Sequence, residues 1–189
     1  MTPELGRALL AHARWGIESE FRRPRGQPSS HPLLETPGAT FVTLRQDGRL
    51  RGCIGSLEPR RPLRVDVRAN AVAAAFSDPR FPPLADHEVE STSIEVSLLS
   101  PSERVPCCDE TDLASRLVPG IDGVTIAYRS RRATFLPQVW EALPDCRAFL
   151  AELRAKAGLP ADFWHPELAV SRYRVTKFTE GEMLAGEDS

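Results

Sequence analysis

The chain has 189 residues, of which 41% are hydrophobic and 26% charged, with a formal net charge of −2. That is an ordinary globular composition with enough length for one sizeable core, and it argues against general attraction to nucleic acid or an anionic membrane surface. No run approaches the roughly 18 apolar residues of a membrane span, and the N-terminus lacks the basic-then-apolar pattern of a secretory signal, so a cytoplasmic location is expected.

Residues 3–23 predict an amphipathic helix, because Leu5, Leu9, Ala13, Ile17 and Phe21 recur at helical spacing between Pro3 and Pro24. Pro24, Gly26, Pro28, Pro32, Pro37 and Gly38 then predict a long surface loop. Residues 40–46 and 49–54 flank Asp47-Gly48, a strong hairpin signal. Residues 62–77 form the next predicted helix, with Leu63, Val67, Ala71, Ala74 and Ala75 on one face, and Asp78-Pro79 stops it. Residues 92–99 alternate, Ile94, Val96 and Leu98 facing a core while Glu95 and Ser97 face outward.

A loop over 101–109 and a short helix over 111–117 follow, then a second hairpin, 123–128 with 133–136. Pro137 suits the first position of a helix through Leu143. Asp145 caps another helix, whose apolar stripe is Phe149, Leu150 and Leu153 and which Gly158 ends. Residues 168–178 read as one final strand, and residues 181–189 as a polar tail. Without a regular βαβ alternation the expected class is α+β, a mixed or antiparallel sheet flanked by helices.

The segment Leu50-Arg51-Gly52-Cys53-Ile54-Gly55-Ser56 is the strongest candidate for chemistry. Cys53 lies between Gly52 and Gly55, which allow close approach by a ligand or another backbone. Arg51 is a cation of the kind that favours a thiolate, and the N–H groups from Gly52 to Ser56 are candidates for an anion-binding nest. The alternative reading is a small buried cysteine packed beneath the following helix.

Between Arg45 and Arg80 there are eight arginines against four acids, Asp47, Glu58, Asp66 and Asp78. This charge suits an anion-binding cleft with Arg51 and Arg80 as contacts, or a solvated helix face carrying Arg60, Arg64 and Arg68. Glu95 is the candidate acid or base, and Gln138 a candidate cleft-lining group. Asp78 and Arg80 also read as a surface ion pair pinning the loop, which would contribute about 0–1 kcal/mol. Of the scattered histidines, His12 and His31 read as surface residues, and His165 beside Trp164 is no better placed for a site. No Cys or His stands at metal-ligand spacing, so no metal is expected. The arginines are not interleaved with aromatic residues, and no nucleic-acid partner is expected.

Several motifs occur in series: Leu50 to Ser56, Phe76-Ser77-Asp78-Pro79-Arg80-Phe81-Pro82-Pro83-Leu84, Ile94-Glu95-Val96-Ser97-Leu98-Leu99-Ser100-Pro101, Gly120-Ile121-Asp122-Gly123-Val124, Phe135-Leu136-Pro137-Gln138-Val139-Trp140, and Phe149-Leu150 through Lys156-Ala157-Gly158-Leu159. In this order they resemble the AMMECR family, also called AmmeMemoRadiSam system protein A. The resemblance covers most of residues 5–180. It implies one domain, its larger part built from both chain ends beside a smaller subdomain. It also implies the company of a Memo-like protein and a radical SAM protein, and it names neither a reaction nor a cofactor. Two functions follow as expectations: an enzyme or enzyme component with an anion-binding cleft around Cys53, or a non-catalytic adaptor for those partners.

Overall fold

The computed structural model describes residues 2–24 and 26–181. Residues 182–189 of the polar tail lie outside that description. In chain order the elements are α1 Pro3–Glu20, β1 Pro37–Gly38, β2 Thr40–Gln46, β3 Arg49–Gly55, β4 Arg61–Pro62, α2 Leu63–Phe76, β5 Thr92–Leu99, β6 Glu103–Arg104, α3 Glu110–Arg116, β7 Gly123–Tyr128, β8 Arg131–Phe135, α4 Cys146–Lys156, β9 Ala169–Tyr173 and β10 Val175–Thr179. Short 3₁₀ turns occupy Pro32–Glu35, Asp86–Glu88 and Pro137–Glu141. The fold is α+β, with every paired strand antiparallel among the described ladders. None of the described helices is long and apolar enough to cross a membrane.

The chain divides into two compact units. Unit 1 is built from the chain up to Leu99 and again from Thr176, and unit 2 is Ser100–Val175. In unit 1 a sheet of order β10-β5-β2-β3 carries α1 and α2 on one face. Val42, Leu44, Ile94 and Val96 are fully buried on that face against Leu9, Ala13, Ile17, Val67 and Ala71. Fully burying a Leu or Ile side chain contributes about 1.5–3 kcal/mol, so this apolar layer is the main driving force for the unit. The predicted hairpin turn forms: Asp47 and Gly48 have φ of 48° and 75°, the left-handed pair that matches strand twist.

In unit 2 the sheet order is β6-β9-β7-β8. Its core centres on Phe149, which stacks on Trp140 with ring centroids 3.7 Å apart, and the Trp140 indole N–H donates to the Asp122 carbonyl at 2.7 Å. Asp145 caps α4 by accepting from the Ala148 N–H at 2.9 Å, and Gly158 leaves the helix at φ 73°.

Several expectations change. The predicted final strand is two strands, β9 in the unit 2 sheet and β10 in the unit 1 sheet. The break falls at Arg174, whose N–H donates to Ser100 Oγ and whose carbonyl accepts from the Ser100 N–H, both outside any ladder. Pro137 opens a 3₁₀ helix of five residues rather than an α-helix. The second hairpin closes over Arg129 and Ser130 alone, with Arg129 at φ 55°. The long loop after α1 contains a 3₁₀ turn and β1, which pairs with β4 immediately before α2. His12 is buried rather than on the surface, accepting from Arg68 Nε at 2.9 Å.

Candidate functional site

The glycines beside Cys53 are explained by packing on opposite faces of β3. A Cβ on Gly52 would stand 2.1 Å from the Ala74 carbonyl oxygen, so Gly52 admits the α2 backbone. A Cβ on Gly55 would stand 2.2 Å from the Phe41 ring, which covers it from the next strand. Neither glycine has a positive φ among the described residues. Two of the N–H groups proposed for a nest are occupied, that of Ser56 by the Thr40 carbonyl and that of Cys53 by Asp78.

Cys53 pairs across the ladder with Thr43, and Thr43 pairs with Glu95 on its other side. Because side chains alternate, all three lie on the sheet face away from α1 and α2, and all are half-buried. The Thr43 hydroxyl donates to Cys53 Sγ at 3.4 Å. Glu95 faces the Lys177 ammonium at 3.9 Å. Two strand spacings separate Glu95 from Cys53, about 10 Å, too far for a direct hydrogen bond. Proton transfer between them would require a bound ligand or water.

β3 is an edge strand, and the Cys53 N–H and carbonyl point away from β2. Asp78 and Arg80 cover this edge. Asp78 Oδ2 accepts from the Cys53 N–H at 2.8 Å and from Arg80 Nη2 at 2.6 Å, while Oδ1 accepts from Arg80 Nε at 2.9 Å and the Arg80 N–H at 3.1 Å. Arg80 Nη2 also reaches the Cys53 carbonyl at 3.4 Å. The Asp78 side chain is only 2% exposed, so the surface-pair reading is overturned. The Arg80 guanidinium and then the backbone donors hold its carboxyl well below the usual carboxylate range, against the opposing effect of burial.

Arg51 does not stand beside the thiol. Leu44 pairs with Gly52 but Arg45 pairs with Leu50, so Arg51 is the extra residue of a β-bulge. It is buried, donates to both carboxylate oxygens of Glu88 at 3.2 and 3.0 Å, and reaches the carbonyls of Pro82 and Pro83. Arg51, then the Ala85 N–H, pulls the Glu88 carboxyl down to about 2. Arg51 thereby clamps the chain after Arg80 rather than presenting charge to a ligand.

A second polar cluster was not visible in the sequence. Asp66, on the first turn of α2, accepts from the Thr40 N–H and hydroxyl and from Asn70 Nδ2 at one oxygen. Its other oxygen accepts from the Ser56 hydroxyl and Arg61 Nε, both at 2.8 Å. Ser56 is therefore tied to a buried carboxylate. Asn70 at i+4 from Asp66 was the available signal, a polar pair on an otherwise apolar helix face. Gln138 is exposed on the 3₁₀ helix of unit 2. Among the described residues no group of three His, Cys, Asp or Glu side chains is placed to hold a metal ion.

The family model for AMMECR1 matches residues 10–178. The chain belongs to the AMMECR1 family. A protein of Methanothermobacter thermautotrophicus is 37% identical over 184 residues, covering 93% of this chain and 94% of the relative. A protein of Sulfolobus acidocaldarius is 39% identical over 183 residues, covering 93% of this chain and 79% of that one. The crystal structure of an uncharacterized protein from Pyrococcus horikoshii is similar at a TM-score of 0.76 and 31% identity, over 95% of this chain and 93% of that one. Similarity of this extent carries the AMMECR1 fold across both units; it assigns no reaction to the Cys53 face.

Proposed function

We propose that this AMMECR1-family protein is an enzyme or enzyme component that binds an anionic small molecule on the sheet face and edge around Cys53. It would act with a Memo-like protein and a radical SAM protein. The observation that carries this reading is Arg80. Its Nε and Nη2 are held by a buried carboxylate and by the Cys53 carbonyl, which fixes a half-exposed guanidinium next to the thiol-bearing residue. Such preorganisation lowers the entropic cost of holding an anion. Cys53 is the nucleophile or redox thiol in this reading, with the Thr43 hydroxyl on its sulfur. Glu95 is the acid or base acting through the bound ligand. Asp78 positions Arg80, while Gly52, Gly55 and Ser56 shape the strand, and Arg51 holds the neighbouring loop.

The alternative is a non-catalytic adaptor for the same partners. It is favoured by the surroundings of Sγ, whose hydrogen-bond partner is a threonine hydroxyl rather than a base. Site-resolved alkylation of Cys53, followed by mass spectrometry, tests the anion site. Inorganic pyrophosphate is expected to slow the labelling of Cys53 and not that of the exposed Cys108. Equal labelling of Cys53 with and without the anion would remove the reading. Anaerobic affinity capture from a host encoding all three proteins addresses the partners, and recovery of neither would count against both versions.

A further inference from the structure

Of the eight arginines between Arg45 and Arg80, two differ from the rest in how they are held. Arg60 and Arg64 pair with partly or largely exposed glutamates, Glu58 and Glu35. Arg51 is buried, and Arg68 lies over the Trp15 ring while donating to His12. Arg61 and Arg80 alone among them bond carboxylates whose side chains are 1% and 2% exposed, Asp66 and Asp78, yet remain 38% and 54% exposed themselves. Each is built the same way. Nε and Nη2 face inward, Arg80 onto Asp78 and the Cys53 carbonyl, Arg61 onto Asp66 Oδ1, Asn70 Oδ1 and the Ser56 hydroxyl. In both, Nη1 has no hydrogen-bond partner among the described residues, which leaves two N–H donors on a fixed guanidinium of a partly exposed side chain.

Two of the groups that hold these guanidinium ions are Cys53 on β3 and Ser56 just beyond its end, three residues apart along extended chain, or about 10 Å. We infer that Arg61 and Arg80 are the two ends of one binding site for an elongated phosphorylated ligand, with anionic groups at both ends of a span of that order. This rests on the reading of the Cys53 surroundings as an anion site, replaces Arg51 by Arg61 as its second cation, and names the ligand class. A lone carboxylate is best bound by a two-nitrogen fork, and in both arginines the Nε–Nη2 fork is already occupied by protein acceptors. A phosphate presents oxygens in several directions and accepts from a single Nη1 at either end. The buried aspartates offset the charge behind each guanidinium, so one arginine alone binds weakly. The two together gain from the second contact being intramolecular.

A linear phosphate series serves as a ruler. Binding of orthophosphate, pyrophosphate, triphosphate and tetraphosphate to the full chain is measured by calorimetry at fixed ionic strength, alongside Cys53 alkylation. Affinity is expected to rise at least about tenfold between pyrophosphate and the longest chain. Arg61→Gln is expected to abolish that rise, while Arg60→Gln, which removes the same charge one residue earlier, keeps it. Arg61→Lys, which retains charge but not the fork onto Asp66 and Asn70, separates loss of geometry from loss of fold when its thermal midpoint is compared with that of the parent. Equal losses in Arg60→Gln and Arg61→Gln, or no dependence on chain length, overturn the two-ended site. If pyrophosphate still protects Cys53 in that case, the anion reading stands without it; if no phosphate binds at all, both fall.

Discussion

The two units bury carboxylates in different ways. Asp66 and Asp78 in unit 1 are surrounded by donors, and each holds an arginine in one orientation at the end of β3. Asp122 in unit 2 is equally inaccessible, but its Oδ2 accepts from the Val118 N–H at 2.9 Å while Oδ1 has no hydrogen-bond partner among the described residues. Arg172 and Arg174 approach it only to 3.8 and 3.7 Å. Burial of charge is therefore not informative by itself. Full donor saturation is what turns a buried acid into a rigid anchor, and among the described residues unit 1 uses such anchors to orient cations beside the candidate site.

The largest expected difference comes from Asp66→Ala. It removes the carboxylate that accepts from the Thr40 N–H and hydroxyl, the Ser56 hydroxyl and Arg61 Nε, and should cost about 3–5 kcal/mol in urea denaturation. Asp78→Asn should cost less, about 2 kcal/mol, because Arg80 is half-exposed and water can replace part of what it loses. Asp122→Asn should cost at most about 1 kcal/mol, since its arginine contacts are longer than hydrogen bonds and partly solvated. Equal losses at Asp78 and Asp122 would break the distinction between the units.

Acid provides a graded comparison. Folded Asp78 and Glu88 titrate below their ordinary values of 3.8 and 4.5. The unfolded chain binds more protons in that window, so their contribution is fully present above pH 5 and is lost as pH falls through the folded values. Glu88→Gln should flatten the slope of the urea midpoint between pH 4.5 and 2.5. A smaller decline should begin nearer pH 6.5. There burial, then Arg68, lowers the affinity of His12 for a proton, so the unfolded chain protonates first. Following the midpoint from pH 7 to 5 in His12→Gln checks this; a slope unchanged from the parent would exclude His12 as its source.

Much of the fold was legible because local rules decided it. Leu5, Leu9, Ala13 and Ile17 recur every four residues and all are buried. Asp47-Gly48 allowed the one turn that joins β2 to β3. The candidate site was legible in its location but not in its wiring. Nothing in the order Arg51-Gly52-Cys53 marks the bulge that turns Arg51 toward Glu88, because a bulge is set by the register of the partner strand. Arg61 read as one charge among many, since its distinction comes from Asp66, Asn70 and Ser56 meeting in space.

Residues 168–178 read as one strand because a local pattern does not record which sheet a residue joins. The sequence alone determined the four α-helices, the two hairpins and the α+β class, through short-range periodicity and turn chemistry, and it singled out Leu50 to Ser56 as the candidate segment through ordered motifs. Tertiary structure decided which arginines are fixed and exposed, where Cys53 places its backbone groups, and which carboxylates are saturated. Those properties depend on hydrogen-bond partners brought together across β3, α2 and the chain after it, and no local pattern encodes them.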